Sequence, residues 1–328
     1  MHSLVLGGSQ FVGLHLVHAL VEQGHQVTVL NRGMTPATYP PGVRRLQADR
    51  FDAATMRQAL GNDTFDAVFE VSGYTPQEVG IAVEILKGRM GHLLFTSSVA
   101  VYAPADVFPL TEASPLMGDP KGRKYSWDKV ACEALLQEAA ATHGFHLTLV
   151  RPPNIYGPHN HVLSREFAYF ARLEQQRKIL LPAHGLSMLP LVYVDDVAQG
   201  FLRCLSNPNA HGEIFNIASG DLVNLRGWVQ VLADVVGVEP DIVSVPRELE
   251  AYVEWSPDIP VPADSFPYGW RRSAIHSIDK AKRLLDYTPT PLVQGVRETY
   301  EWYRRQPSER WRSDFSRDDA CLREMGLA

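Results

Sequence analysis

Residues 4–13 read LVLGGSQFVG, and the fold turns on how that stretch is read. An apolar run ends at two glycines, and an amphipathic segment begins at Phe11. Strand, tight turn and helix in that order give a glycine pattern its meaning, because the start of the helix then presents backbone N–H groups to an anion such as a pyrophosphate. Gly7 suits the sharp turn and Gly13 the close helix–strand packing, but the middle slot, where a third glycine is usual, holds Gln10. A side chain is tolerable there if it points outward, and Gly8 eases the turn. The segment is therefore expected to bind a dinucleotide through Gly7, Gly8, Gln10, Phe11 and Gly13.

Outward from this turn the first 150 residues alternate short apolar runs with helical periodicity. Strands are expected at 26–30 (QVTVL), 66–72 (DAVFEVS), 91–98 (GHLLFTSS) and 145–152 (FHLTLVRP), with helices at 11–23, 53–60, 77–87 and 126–142. Strands alternating with helices imply right-handed crossovers and a parallel sheet covered on both faces. The fold class is α/β, a Rossmann-type doubly wound parallel sheet. A smaller, mostly C-terminal α/β substrate domain is expected with it. Residues 1–155 form the first domain, with 190–218 returning to it, and 156–189 and 219–328 form the second. Helical periodicity recurs at 164–177, 195–205, 225–236, 279–285 and 292–305. The stretch 240–270 is rich in Pro and aromatics, and the polar tail from Gln306 is expected to pack loosely.

Composition narrows the function classes. The chain has 328 residues, 45% hydrophobic and 21% charged, with a net charge of −6. These are values of a soluble globular protein with no electrostatic footprint for nucleic acid or an anionic membrane. Cys132, Cys204 and Cys321 lack metal spacing and point to a reducing setting. With no signal-like start and no long apolar stretch, a cytoplasmic protein is expected, with no membrane association.

Two features bear on cofactor and chemistry. After the second strand, where an acid would hold the ribose 2′-hydroxyl of NAD, the chain has Asn31 and Arg32. Losing the acid removes repulsion against a 2′-phosphate, and a guanidinium can grip it, so NADP is favoured over NAD. In RKYSWDKVACEALL, Tyr125 and Lys129 are four apart and share a helix face. An ammonium beside a phenol favours the phenolate, which makes a general acid/base. Ser97 and Ser98 end a strand at the edge where open α/β sheets bind ligands, and Ser98 is the better candidate for a hydroxyl that bonds substrate.

Together these pieces resemble the extended short-chain dehydrogenase/reductase family, the NAD(P)-dependent epimerase/dehydratase group, along nearly the whole chain. FTSSVAVYA resembles its serine strand, YSWDK its Tyr–Lys pair, and VRPPNIYGP, VYVDDVAQG and FNIASGD later signatures. The opening GG-x-x-F-x-G, the NRG and QADRFD are similar to a divergent branch that includes the chloroplast stem-loop-binding relatives. The resemblance implies Tyr125 as acid/base, Lys129 as its tuner and ribose holder, and Ser98 as hydrogen-bond donor. It also implies that Asp49 and Arg50 join the cofactor residues, that Asn154 touches substrate, and that a homodimer forms. The substrate it implies is a small molecule, a sugar or sugar nucleotide acted on at a hydroxyl or keto group.

Departures limit the substrate. Val99 and Ala100 stand where the family's 4,6-dehydratases carry an Asp–Glu pair, which disfavours that chemistry. Leu189 replaces an arginine used on substrate diphosphates, with Arg271 and Arg272 as candidate substitutes. No metal is expected, since His159 and His161 lack further ligands. Asp195 and Asp196 are read as the N-cap and first turn of a helix. Trp255, Phe266, Tyr268 and Trp270 are read as core rather than pocket. The rival reading is a nucleic-acid-binding or regulatory protein on a retained fold, with Arg44, Arg45 and Arg50 as its basic patch.

Overall fold

The computed structural model describes residues 1–118, 124–162, 165–252, 273–307 and 314–327. In its first half the chain runs β1 (His2–Leu6), α1 (Phe11–Glu22), β2 (Gln26–Asn31), β3 (Arg44–Gln47), α2 (Ala53–Leu60), β4 (Phe65–Glu70), α3 (Pro76–Leu86), β5 (Met90–Thr96), α4 (Lys124–His143) and β6 (His146–Arg151). It continues through β7 (Asn154–Tyr156), α5 (Glu166–Glu174), β8 (Ile179–Pro182), β9 (Met188–Leu189), β10 (Leu191–Tyr193), α6 (Val194–Leu205), β11 (Ile214–Asn216), β12 (Val223–Asn224), α7 (Leu225–Val236) and β13 (Ile242–Val245). The last helices are α8 (Asp279–Leu285), α9 (Leu292–Arg304) and α10 (Ser316–Glu324).

Seven parallel strands make the central sheet, in the order β11-β6-β5-β4-β1-β2-β3. The chain starts in the middle, builds one side through β2 and β3, then crosses back to place β4 against β1. Leu6 is therefore in register with Leu30 on one side and Glu70 on the other. That reversal creates a crevice beyond the strand ends, the usual ligand position in open α/β sheets. Near-continuous burial of β1, β4 and β5 reflects helices on both faces, and one cluster from Leu4, Val68, Leu93, Leu86 and Leu136 forms the core of one face.

Two compact units result. The first contains Met1–Ile155, Val192–Ala218 and His276–Pro289, and the second Tyr156–Leu191, Ser219–Ile275 and Thr290–Ala328. The segment His276–Pro289, which sequence patterning left with the substrate domain, is drawn into the first unit by specific bonds. Ser277 N–H reaches Leu110 O at 2.8 Å, the Tyr287 hydroxyl reaches Ala218 O at 3.0 Å, and Arg203 reaches Leu285 O at 3.0 Å. Two strands of the central sheet escaped the apolar pattern: β3, whose sequence RRLQ is mostly exposed, and the three-residue β11.

In the second unit β8 pairs with β13, β9 pairs with β12, and α7 packs against α5 and α9. Here the expectation of a loose tail is corrected. Residues Ser316–Glu324 form α10, whose Asp318 takes both Nε and Nη2 of buried Arg172, at 2.7 and 3.1 Å, and Cys321 is fully buried. A buried ion pair anchors a segment too polar to show an apolar stripe. A second correction concerns α6: it starts at Val194, straight out of β10, so Asp195 and Asp196 both lie in its first turn and neither caps it.

Candidate active site

At the C-terminal end of β1 each glycine has a steric reason. Gly7 has φ +96°, and a Cβ there would lie 2.5 Å from Ser72 Cβ. A Cβ on Gly13 would lie 2.2 Å from Gly7 O and 2.9 Å from Gly8 Cα, both backbone atoms. Gly8 is buried against Val17 and Val29. Gln10, by contrast, is exposed with φ −139° and ψ 152°, an extended backbone open to any residue. The next residue, Phe11, carries the unusual torsion instead, φ +41°, with its ring buried. Such a non-glycine conformation costs of order 1–3 kcal/mol and persists where surrounding structure enforces it. The start of α1 has no side-chain cap and no acidic residue in its first turn. The cradle left by three absent Cβ atoms, at an uncapped helix start, fits a dinucleotide pyrophosphate.

Along the crevice, Asn31 organises the loop after β2. Its Oδ1 accepts from Gly33 N–H at 2.8 Å and its Nδ2 donates to the Tyr39 hydroxyl at 3.2 Å, while Gln47 Nε2 holds Arg32 O at 3.0 Å. The Arg32 backbone is thereby pinned while its guanidinium stands exposed, with no ion-pair partner among the described residues. Asp49 is exposed and accepts from Phe51 N–H at 3.0 Å.

Arg50 turns inward. Its Nη1 and Nη2 grip Glu70 Oε1 and Oε2 at 3.0 and 2.7 Å, Nη1 also reaches Ser72 Oγ at 2.5 Å, and Nε lies 3.4 Å from Glu78 Oε1. Burial opposes its charge, but Glu70 and Glu78 outweigh that and hold its pKa above the ordinary value. Of the three arginines Arg44, Arg45 and Arg50, the last is withdrawn from the surface, its side chain only 14% exposed, while Arg44, paired with Asp63 at 2.6 Å, and Arg45, over the Tyr39 ring, remain exposed.

The two serines after β5 divide their roles. Ser97 is buried and donates to Glu133 Oε1 at 2.5 Å; Glu133 in turn takes Arg151 Nε and Nη2 at 2.8 and 2.6 Å, a fully buried pair. Ser98 is half-buried, its Oγ accepting from Ala100 N–H at 3.1 Å, and its hydroxyl proton keeps its freedom to rotate. On α4, Tyr125 is 39% exposed and Lys129 only 2%. Lys129 Nζ donates to Gly73 O at 2.8 Å and Thr96 O at 2.6 Å, and lies 4.6 Å from the Phe95 ring centroid and 5.2 Å from that of Tyr74. Burial lowers its pKa to about 8, against the opposing pull of Cys132 and Glu70. An ammonium has three donors, so one remains beyond these two carbonyls.

Tyr74 is the residue sequence reasoning missed. Its ring lies 6.5 Å from that of Tyr125, and 53% of the residue is exposed. Nothing in a single aromatic after β4 signals this; only the closeness of the β4–α3 connection to α4 does.

Other candidates fall elsewhere. Asn154 is half-buried at the start of β7. Arg271, Arg272 and the aromatics Trp255, Phe266, Tyr268 and Trp270 lie outside the described residues. The His159 ring packs 4.9 Å from Trp302, and Asp195 bonds His15 Nδ1 at 2.5 Å. Among the described residues no group of three or more His, Cys, Asp or Glu could hold a metal ion, and no helix is long and apolar enough to cross a membrane.

Residues 3–218 match the model of the NAD dependent epimerase/dehydratase family. The chain belongs to that family. Among curated relatives, the chloroplast stem-loop binding protein of 41 kDa b of Arabidopsis thaliana is 32% identical, over 97% of this chain and 83% of its own. The 2′-dehydrokanamycin reductase of Streptomyces kanamyceticus is 27% identical over 76% of this chain and 70% of its own. Among solved structures, a UDP-glucose 4-epimerase from Thermotoga maritima, with UDP-glucose, superposes with a TM-score of 0.76 at 21% identity. It covers 93% of this chain and 99% of that one, and shares the fold. This epimerase/dehydratase chain thus has the extended short-chain dehydrogenase/reductase architecture, in a branch similar to the stem-loop-binding protein.

Proposed function

We propose that this chain is an NAD(P)-dependent oxidoreductase or epimerase that acts on a hydroxyl or keto group of a sugar or sugar nucleotide. The observation that carries the reading is the Cβ-free cradle of Gly7, Gly8 and Gly13 after β1, together with Ser98 after β5, two strands along the same sheet edge, and Tyr125 and Lys129 on α4, whose lysine holds Thr96 O at the end of β5. When bound, the nicotinamide ring would supply a hydride acceptor or donor. Gly7, Gly8, Gln10, Phe11 and Gly13 would seat the pyrophosphate, Asn31 and Arg32 the adenosine ribose, and Asp49 the adenine side. Arg32, pinned at its backbone and open at its guanidinium, favours a 2′-phosphate and hence NADP.

Tyr125 would take the proton of the substrate hydroxyl on oxidation and return it on reduction. Ser98 would donate a hydrogen bond to the same substrate oxygen. Lys129, with two donors committed to Gly73 and Thr96, would turn its third to a ribose hydroxyl while its charge favours the Tyr125 phenolate. Val99 and Ala100 offer no second acid or base, so the reading disfavours 4,6-dehydration by that route.

The test is a panel of sugars and nucleotide sugars with NADPH or NADP, read at 340 nm and by mass spectrometry of products, on wild type and Tyr125→Phe. Losing an acid/base costs about 10²–10⁴-fold in turnover, so Tyr125→Phe falls by at least a hundred-fold while its dinucleotide affinity changes by less than about three-fold. Undiminished turnover in that variant removes Tyr125 from the chemistry. RNA binding with a steep salt dependence, without dinucleotide binding, would favour the regulatory reading instead.

A further inference from the structure

A second charged layer lies beneath the catalytic residues. Lys129 lies one helical turn after Tyr125, next to Asp128 in the chain, and feels the charge of Cys132 on its own helix, Glu70 at the end of β4, Arg50 from the β3–α2 connection, and Glu78 from α3. The carbonyls of Gly73 and Thr96 and the rings of Tyr74 and Phe95 complete its surroundings. Glu70, Glu78 and Lys129 are nearly fully buried, and Arg50 is mostly so. Two cations thus face two carboxylates.

The bonds run in sequence. Arg50 grips both oxygens of Glu70 and the hydroxyl of Ser72; Glu70 Oε1 takes Ser72 N–H at 3.2 Å; and the next residue, Gly73, offers its carbonyl to Lys129. Glu78 fixes the far side of the same connection, accepting from Tyr74 and Thr75 N–H at 2.9 and 2.8 Å. Ser72 also abuts Gly7, whose missing Cβ would strike it. One cluster therefore touches both the glycine turn and the lysine.

We propose that Arg50, Glu70 and Glu78 are positioning residues that fix the place and the charge of Lys129, and through Ser72 tie that charge to the glycine turn. The inference rests on the proposed role of Lys129 beside Tyr125 and the dinucleotide. Arg50 repels the ammonium and the two carboxylates attract it, so their balance sets where Lys129 loses its proton. Removing either sign tilts that balance in opposite directions, which no purely structural role would do.

The test uses the full chain labelled with [ε-¹³C]lysine. It has seven lysines, and Lys129→Met identifies the resonance to follow. Charges at this range move a midpoint by roughly one pH unit. Arg50→Met, which leaves two carboxylates against one cation, raises the Lys129 titration midpoint by about that much, and Glu70→Gln lowers it. Arg50→Lys, which keeps the charge without the fork, stays within about 0.3 of wild type. Glu78→Gln, which keeps an acceptor for the α3 cap, supplies the downward arm if Glu70→Gln does not fold. Shifts of the same sign in Arg50→Met and in the glutamine variants, or no shift in any, overturn the inference. NADPH titration of wild type in parallel separates the two ideas: absent binding defeats the dinucleotide reading, whereas normal binding with an unmoved lysine defeats this one alone.

Discussion

Replacing Gly13 by alanine should cripple dinucleotide binding without unfolding the chain. The new Cβ would lie 2.2 Å from Gly7 O and 2.9 Å from Gly8 Cα. Ordinary non-bonded contact is about 3.5 Å, so α1 must back away from the turn by roughly 1 Å. Both obstructing atoms belong to the backbone, so no side chain can swing aside. Overpacking of this kind costs about 1–3 kcal/mol, and alanine recovers up to about 1 kcal/mol of helix propensity, so stability falls by no more than about 3 kcal/mol. The N–H groups at the start of α1 move with the helix, and hydrogen bonds to a phosphate weaken steeply with such a displacement. Losing one or two charge-assisted bonds corresponds to about a ten- to hundred-fold weaker complex. Fluorescence titration with NADPH measures it, with a thermal melt to confirm folding. Gln10→Ala is the control: Gln10 would serve the seat through its backbone while its side chain is exposed on extended backbone, so this change should alter affinity by less than about two-fold. Wild-type affinity in a folded Gly13→Ala variant would refute the seating of a dinucleotide on this turn.

Further outcomes follow from the same geometry. Arg32→Ala should weaken NADPH by about ten-fold and leave NADH nearly unchanged, because only the 2′-phosphate loses a partner; equal losses for both would remove Arg32 from cofactor choice. Glu133→Gln strands the buried Arg151 charge and should cost about 3–5 kcal/mol in urea unfolding, most of it recovered in the double variant Glu133→Leu, Arg151→Met. Acid sensitivity should trace in part to His92, whose pKa burial and its neighbours His211 and His146 lower to about 3. Thr148 gives its proton to Ala210 O at 2.6 Å, so His92 Nε2 must donate to Thr148 at 2.8 Å, and the ring is held neutral. The unfolded chain binds that proton below its ordinary value near 6.5 and the native chain does not, so this stability is full above pH 6.5 and is lost as pH falls toward 3. The loss is on the order of 4 kcal/mol. His92→Gln, which keeps the donor to Thr148, should flatten urea midpoints over that pH range; an unchanged slope would exonerate His92.

Much of this was legible in the sequence because backbone sterics leave marks. Strand–glycine–helix, the Tyr125 and Lys129 spacing, and serines at a strand end are local patterns. What escaped was held by long-range polar contacts. Arg50 was read as a cofactor residue, or in the rival reading as a surface charge, because nothing in QADRFD reveals that Glu70, twenty residues on, pulls it inward. The α10 tail looked loose because its anchor, Arg172, is 146 residues away from Asp318. Tyr74 was unreadable because its meaning lies in what it faces. Gln10 shows the converse: a deviation from the glycine pattern, read as tolerable if its side chain points outward, sits where the backbone needs no glycine.

The most direct test of the account is equilibrium titration of the purified full chain with NADPH and NADH. The account predicts saturable binding of one dinucleotide per chain, tighter for NADPH, abolished or severely weakened by Gly13→Ala. Folded wild-type protein that binds neither dinucleotide at millimolar concentration would contradict it.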